Sequence, residues 1–404
     1  MKLRPGFLPF RACFATAILA AAFMVLAAHS SAAETVDDGI IEKTIEKSPA
    51  DVKASWSDAD LQNAVPLDGP APVTEPFDLP AFPDASTSVR QGDYLVKNPL
   101  TLPKRFHGKV FFRIGNQIFT CSATVISSRY GNAIFTAGHC VYDRASRAFV
   151  RDLLFIPAYT EGQAPLGGYA AASLATTRNW KRGKSFAADI GIATVSGTPV
   201  ANLGGARPVA FNLKAKKRAY TIYGYPADPN PPFDGERMFG CHSKVVGRDR
   251  GKPKPMAVFP CYMSHGASGG GWISKGYLNS VTSYVYCDTN PKYCGYLFAP
   301  YFSTAAKKLY RSPLVGGSTD PLIAFRKAPP RKLKRHHFGI RMFGLASTPL
   351  RYQCAIDRRK FRRCGRKARI GHLSRGRHVL RVRAYDQTGR KAVNQLKRKF
   401  RVIR

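Results

Sequence analysis

Short apolar stretches separated by Gly, Pro and Asn run through residues 105–312. Several of them have the length and the Val, Ile, Phe and Tyr content of β-strands, namely 109–114, 118–126, 133–136, 189–195, 218–223 and 277–286. A helical period appears only at 301–310. Because strands at this spacing lack intervening helices, the pattern predicts an all-β barrel or sandwich.

The N-terminus has the pattern of a secretory signal peptide. Three bases precede an uncharged, mostly apolar stretch over 12–28, and the small residues Ser31 and Ala33 stand just before Glu34. We therefore expect a signal peptide at 1–33 and a secreted, extracellular protein with no transmembrane anchor after cleavage. An uncleaved anchor is the alternative, although the apolar run is short for a bilayer span.

Charge divides the remaining chain into an acidic leader and a basic body. Residues 34–104 carry 13 acids and 6 bases, whereas the whole chain has a net charge of +38. The leader is rich in proline, and Ser57 is placed to cap one short helix ending at Ala64. We interpret 34–104 as an acidic pro-segment or linker; a tail that stays attached is the alternative.

The basic body narrows the choice of partners. Its charge attracts anionic polymers such as nucleic acid, acidic glycans or cell-wall polymers. An adaptation for solubility explains the same composition, so both hypotheses stay open. A mean hydropathy of −0.23 excludes a polytopic membrane protein.

The cysteines fit an oxidising compartment. Removing the signal peptide with its Cys13 leaves eight of the nine cysteines, an even number. Proximity in sequence predicts four local disulfides, although eight cysteines allow 105 connectivities. The pairs are Cys121 with Cys140, Cys241 with Cys261, Cys287 with Cys294, and Cys354 with Cys364. Since no CxxC pair occurs, the sequence predicts no zinc or other metal site, and we expect no cofactor.

Three motifs carry the chemistry. TAGHC contains His139, DIGIA begins at Asp189, and GASGG contains Ser268. Together, in this order, they resemble the motifs of trypsin-like, chymotrypsin-fold serine peptidases, with most similarity to the secreted bacterial branch that includes glutamyl endopeptidases. This resemblance implies two β-barrels over 105–312 and a serine endopeptidase that hydrolyses peptide bonds of protein or peptide substrates.

The resemblance also implies roles for individual residues. His139 would act as general base, Asp189 would orient it, and Ser268 would form an acyl-enzyme. The backbone N–H groups of Gly266 and Ser268 would form the oxyanion hole. The segment GYLNSVTSYVYC resembles the strand that binds the substrate backbone, and Tyr262 takes the position often found at the base of the specificity pocket. The implied substrate-binding residues are Tyr262, Ser283, Tyr284 and Val285.

Two other functions are compatible with parts of the sequence. GASGG also fits the nucleophile elbow of α/β-hydrolases, but their order is Ser, acid, His, the reverse of the order here. A catalytically inactive peptidase-fold adhesin that binds anionic polymers stays open as the alternative. An intact triad argues against it.

The C-terminal residues form a separate region. A basic linker is expected at 313–335, and the Cys-x9-Cys element with the VRAYD segment resembles small Ig-like or fibronectin-like modules, which implies a β-sandwich at 336–404. Leu380 and Val382 alternate with Arg381 and Arg383, as in a half-buried strand. Residues 313–404 hold 27 bases and three acids. Attachment to an anionic polymer is one hypothesis for this region, and a solubilising spacer is the other.

Overall fold

The computed structural model describes residues 35–37, 39–67, 79, 92–183, 185–228, 233–315, 322–345, 350–385, 391–392 and 395–403. The predicted signal peptide, residues 1–33, lies outside these residues. Within the described part of the chain, no helix has both the length and the apolar character needed to cross a membrane.

The leader contains more structure than the sequence predicted. Its elements are β1 (Thr35–Asp37), β2 (Ile40–Thr44), α1 (Pro49–Ala54), α2 (Asp58–Gln62), β3 (Val65–Pro66) and β4 (Asp93–Leu95). Ser57 caps α2 as expected, in a capping box with Asp60. The other described elements of the leader were not predicted from its proline-rich sequence.

The first barrel follows a short 3-10 helix, Lys104–Phe106. It contains β5 (His107–Ile114), β6 (Gln117–Ile126), β7 (Ala133–Thr136), β8 (Tyr142–Asp143), β9 (Ala148–Phe149), β10 (Arg151–Pro157), β11 (Tyr169–Thr177), α3 (Arg178–Lys181), a 3-10 helix at Phe186–Ala188, and β12 (Gly191–Val195). The order β11-β10-β5-β6-β7-β12 closes because β11 also pairs with β12. A closed barrel of this size leaves no exposed edge and fills its interior with side chains.

The second barrel is half open. The helix α4 (Pro199–Asn202) precedes it and packs against β6 of the first barrel. The second barrel contains β13 (Ala219–Gly224), β14 (Phe239–Arg248), β15 (Met256–Phe259), β16 (Gly271–Ser274), β17 (Tyr277–Val281), a 3-10 helix at Pro291–Tyr293, β18 (Leu297–Ala299) and the closing helix α5 (Thr304–Arg311). The strand order is β17-β16-β13-β14-β15-β18. The prediction of an all-β chain built on two barrels is confirmed.

Two leader strands extend the barrel sheets. β2 pairs antiparallel with β11 from Ile40 to Thr44, and β4 pairs with β14. The side chains of Ile41 and Val52 are completely or almost completely buried, and this burial of apolar surface holds the leader in place. The apolar runs concerned are only two or three residues long, so the sequence pattern did not reveal them.

Further sheets follow α5. Their strands are β19 (Leu322–Lys327), β20 (Lys332–Leu333), β21 (Phe338–Leu345), β22 (Arg351–Ile356), β23 (Arg362–Cys364), β24 (Lys367–Ile370), β25 (Gly376–Tyr385) and β26 (Leu396–Val402). The sheets β19-β21-β24 and β20-β26-β25-β22-β23 share one hydrophobic core. In β25, Leu380, Val382 and Ala384 are buried, which is the alternation that the sequence predicted.

The structure brings together all four predicted cysteine pairs. The Cα–Cα distances are 6.3 Å for Cys121–Cys140, 5.8 Å for Cys241–Cys261, 4.5 Å for Cys287–Cys294 and 5.8 Å for Cys354–Cys364. Three of the pairs lie in the two barrels and one in the C-terminal sheets.

Candidate active site

Strand pairing places the histidine beside the aspartate. His139 follows β7, and Asp189 precedes β12. Since β7 and β12 are antiparallel neighbours, with Thr136 opposite Gly191, the segments beyond these two ends meet at the same edge of the barrel.

Asp189 holds the histidine by two hydrogen bonds. Its Oδ2 lies 2.8 Å from His139 Nδ1, and its Oδ1 accepts from the His139 backbone N–H at 2.8 Å. Because a carboxylate only accepts, Nδ1 carries the proton and Nε2 has the free lone pair. Nε2 is buried and has no hydrogen-bond partner among the residues that the structure describes. The ring is therefore oriented with a vacant basic nitrogen.

The serine loop joins the second barrel to the first. The backbone N–H of Ser122 donates to Ser268 O at 2.7 Å, and the Ser122 hydroxyl donates to Gly266 O at 2.8 Å. A Cβ at Gly269 would lie 2.1 Å from Thr136 Oγ1, so only glycine allows the loop to approach β7 this closely. Ser268 therefore lies between the barrels, beside the segment that carries His139.

Two backbone N–H groups of the serine loop stay free. Gly266 has φ +79°, a conformation that favours glycine. Neither Gly266 N nor Ser268 N donates to any described residue, although the intervening Ala267 N donates to Ser264 O. Free N–H groups in a rigid loop are suited to stabilising a developing oxyanion.

The predicted substrate strand is fixed on one side only. Ser283 N donates to Phe298 O, and Tyr284 O accepts from Phe298 N. Among described residues, Ser283 O and both backbone groups of Val285 make no hydrogen bond. These unpaired groups belong to alternate residues of the strand, and they are suited to pairing with an extended peptide.

Solved structures of proteases match about half of this chain. The chain is 34% identical to a thermostable serine protease, AL20, from an extremophilic microorganism, over 51% of this chain and 95% of that one, with a TM-score of 0.46. The chain belongs to the serine-protease family. The chain is also 28% identical to the protease Anisep from Arthrobacter nicotinovorans, over 52% of this chain and 96% of that one, with a TM-score of 0.47.

A Glu endopeptidase is 17% identical over 55% of this serine protease and 96% of that chain, with a TM-score of 0.46. No family model and no curated protein matches the chain. The assignment therefore depends on the identity to AL20 and concerns about half of the chain.

The predicted specificity residue Tyr262 is half-buried in this serine protease. Its backbone N–H donates to Asp93 Oδ2 at 2.7 Å, which fixes the segment against the leader strand β4. Three residues before Ser268, His265 Nε2 lies 3.2 Å from Asp288 Oδ1.

Sequence reasoning missed Ser122, Phe186 and Asp249 around the site, and it placed Ser283 in the substrate strand without its contact to Asp189. The Ser283 hydroxyl donates to Asp189 Oδ2 at 2.5 Å, and Ser122 anchors the serine loop. Phe186 packs on Tyr284 with ring centroids 4.3 Å apart, and Asp249 accepts from the Tyr284 hydroxyl at 2.6 Å. All four contacts are between residues distant in sequence, so no local motif marks them.

Two clusters of potential metal ligands occur among the described residues, Cys121 with His139 and Cys140, and Asp93 with Cys241 and Cys261. In both, the sulfur atoms belong to disulfide pairs and offer no thiolate. His139 Nδ1 is occupied by Asp189, so neither cluster fits a metal ion.

Proposed function

We propose that this chain is a serine endopeptidase that acts through His139, Asp189 and Ser268. The observation that carries the proposal is the buried His139 ring, bound at Nδ1 by Asp189 with Nε2 vacant. Nε2 takes the proton of the Ser268 hydroxyl as its oxygen attacks the scissile carbonyl, and returns it to the leaving amine. Water then hydrolyses the acyl-enzyme through the same base.

The free N–H groups of Gly266 and Ser268 stabilise the negative charge that develops on the substrate oxygen. Ser283 O and Val285 pair with the substrate backbone on the acyl side. The alternative, an inactive adhesin, has less support, because His139, Asp189 and Ser268 are all present and Asp189 holds the His139 ring by two hydrogen bonds.

A fluorophosphonate probe tests the nucleophile directly. The chain should be labelled at Ser268, and Ser268→Ala should abolish labelling and lower kcat by about 10⁴-fold or more. The matched control is Ser128→Ala. It also removes one serine hydroxyl from the barrels, but at a position after β6 and outside the cleft. Hydrolysis by a folded Ser268→Ala protein would refute the mechanism.

We also propose that the leader is a pro-segment covering the leaving-group side of the cleft. β3 pairs with β6 just before Cys121, and Leu67 N donates to Thr120 O at 3.0 Å. Pro66 Cβ lies 3.5 Å from the position of a Cβ at Gly266, which puts the leader against the serine loop.

Side chains of the leader add further contacts. Asp60 lies 3.1 Å from Arg113, and Trp56 Nε1 donates to Asp152 O at 2.9 Å. These contacts support a docked segment over a free tail. Cleavage between β3 and β4 would release it while leaving β4 in the second barrel.

Leu67→Pro tests this covering role, because it removes the N–H that binds Thr120 O. We expect higher peptidase activity from the uncleaved Leu67→Pro chain than from Leu67→Ala, which keeps the N–H. Equal activities would mean that the segment does not restrict the cleft.

We infer secretion from the disulfides and the signal-like N-terminus, since disulfides persist in oxidising compartments. We also propose that the C-terminal module, residues 336–404, attaches the enzyme to an anionic polymer. On β26, Lys397, Lys399 and Arg401 are exposed on one face while Phe400 and Val402 are buried.

A further inference from the structure

A groove of about 780 Å³ crosses the outer surface of the second barrel, away from the catalytic groups. Its lining contains six cations, Lys214, Lys216, Lys217, Arg218, Lys244 and Lys275, and no acidic residue. Neither the proposed peptidase reaction nor the C-terminal module uses this groove.

Three separate segments of the chain supply these charges. The loop before β13 carries four of them, and strand pairing sets Lys244 of β14 directly opposite Ala219 of β13. Lys275 lies in the turn after β16. The charges therefore converge only in the folded protein, which makes the groove a property of the tertiary structure.

Arg218 forms the fixed part of the groove. Its Nε donates to Lys214 O at 2.7 Å, and its Nη1 donates to Ser274 Oγ at 3.3 Å. Ser243, also in the lining, has a buried hydroxyl with no partner among the described residues. The groove thus combines a positioned guanidinium with an unused hydroxyl.

The lysines of the groove are exposed. Among the described residues, no carboxylate lies within ion-pair distance of Lys214, Lys216 or Lys244. Elsewhere in the barrels a lysine does find an acid, since Lys109 lies 2.8 Å from Glu236. Like charges held together without a counter-charge raise the local potential and attract a multivalent anion.

We propose that this groove binds a linear polymer bearing sulfate or phosphate groups. Lysine ammonium groups act as point charges for tetrahedral oxyanions, and their spacing along an open groove fits a chain better than a single ion. The groove lies at the Ser274 end of β16, whereas Ser268 precedes its Gly271 end. A bound polymer therefore leaves the catalytic cleft open, and the proposal is independent of the proposed peptidase activity.

The test compares two triple variants of the full chain, both carrying Ser268→Ala to prevent autolysis. The first replaces Lys214, Lys216 and Lys244 with Ser. The control replaces Arg129, Arg182 and Arg311 with Ser. It removes the same number of positive charges, but from exposed positions outside the groove. Kd for a heparin oligosaccharide and for inorganic polyphosphate is measured over a series of salt concentrations.

The groove variant should bind at least one of the two polymers about tenfold or more weakly, and its slope of log Kd against log salt should fall by about 2 to 3, near 0.9 for each lost contact. The control should change Kd less than twofold. Weakening with heparin alone identifies a sulfated glycan as the source, and weakening with polyphosphate alone identifies a phosphate polymer. Equal weakening of groove and control variants would show that only net charge matters, and would overturn the proposal.

Discussion

At the scale of single residues, Asp189 is the most constrained group of the site. It is completely buried and accepts from His139 twice and from Ser283 once. A buried carboxylate needs such donors, because an unpaired buried charge is strongly unfavourable. The Ser283 hydroxyl therefore positions Asp189, which in turn orients His139.

Ser283→Ala should lower kcat by roughly tenfold to a hundredfold, because a hydrogen bond to a charged group contributes about 1.5–3 kcal/mol. Ser280→Ala is the matched control, since the Ser280 hydroxyl donates to Pro300 O, just after β18, and not to Asp189. Steady-state kinetics on a chromogenic peptide gives kcat for the two variants and for the wild type. Equal losses in both variants would contradict a positioning role for Ser283.

A second buried histidine makes stability depend on pH. Burial, with the adjacent Arg207, lowers the pKa of His107 well below its usual value. His107 Nδ1 lies 2.9 Å from Thr124 Oγ1, and Arg207 donates to its Nε2 at 3.2 Å. Folding thus favours the neutral ring.

Because the unfolded chain binds this proton and the folded chain does not, stability should be complete above about pH 6.5 and decrease as the pH falls below it. The slope contributed by His107 is at most about 1.4 kcal/mol per pH unit. Urea unfolding of the wild type and of His107→Gln between pH 7 and 5 measures this slope as the difference between the two proteins. If the free energy of unfolding of the two proteins depends on pH in the same way, His107 does not contribute to the pH dependence of stability.

At the scale of elements, the Cys121–Cys140 pair links β6 to the segment after β7. The first of these elements carries Ser122, which anchors the serine loop, and the second carries His139. Its loop spans 19 residues. A cross-link of this length restricts the unfolded chain.

Replacing Cys121 and Cys140 with Ala should lower the free energy of unfolding by about 3 kcal/mol and reduce peptidase activity. The same replacement at Cys354 and Cys364 should destabilise only the C-terminal sheets and leave activity on small peptides unchanged. Denaturant unfolding and peptide hydrolysis are measured for both. If the second pair reduces activity as much as the first, the Cys121–Cys140 link has no special role.

At the scale of the whole molecule, charge is distributed over two basic surfaces. Residues 313–404 carry a net charge of +24, and residues 105–312 add 27 bases against nine acids. At physiological salt, charges more than about 8 Å apart are screened, so clusters matter more than the total. The exposed row on β26 and the groove of the second barrel are two such clusters.

A chain ending at Ser312 should keep its activity on small peptides and elute from a heparin column at lower salt than the full chain. Its residual retention should fall again when Lys214, Lys216 and Lys244 are replaced by Ser. If the shortened chain were retained as tightly as the full chain, the C-terminal module would not be the anchor.

Much of the fold was predictable because strand patterns and glycine-rich turns are local. The stretches at 133–136 and 189–195 match β7 and β12 within two residues, and Ser57 caps α2 as expected. The three motifs made His139, Asp189 and Ser268 the candidate catalytic residues, since each motif carries its chemistry within five neighbouring residues. Proximity in sequence was also enough for the four cysteine pairs.

Only the tertiary structure decided the contacts between distant residues. The sequence indicated an acidic pro-segment or linker with one short helix but not its contacts. Ile41 and Pro66 lie against the first barrel and the serine loop, because burial there depends on surfaces formed far away in sequence. Ser283 reaches Asp189 across 94 residues, and the basic groove joins three segments. Local patterns determine elements and reactive groups, whereas packing determines which groups meet.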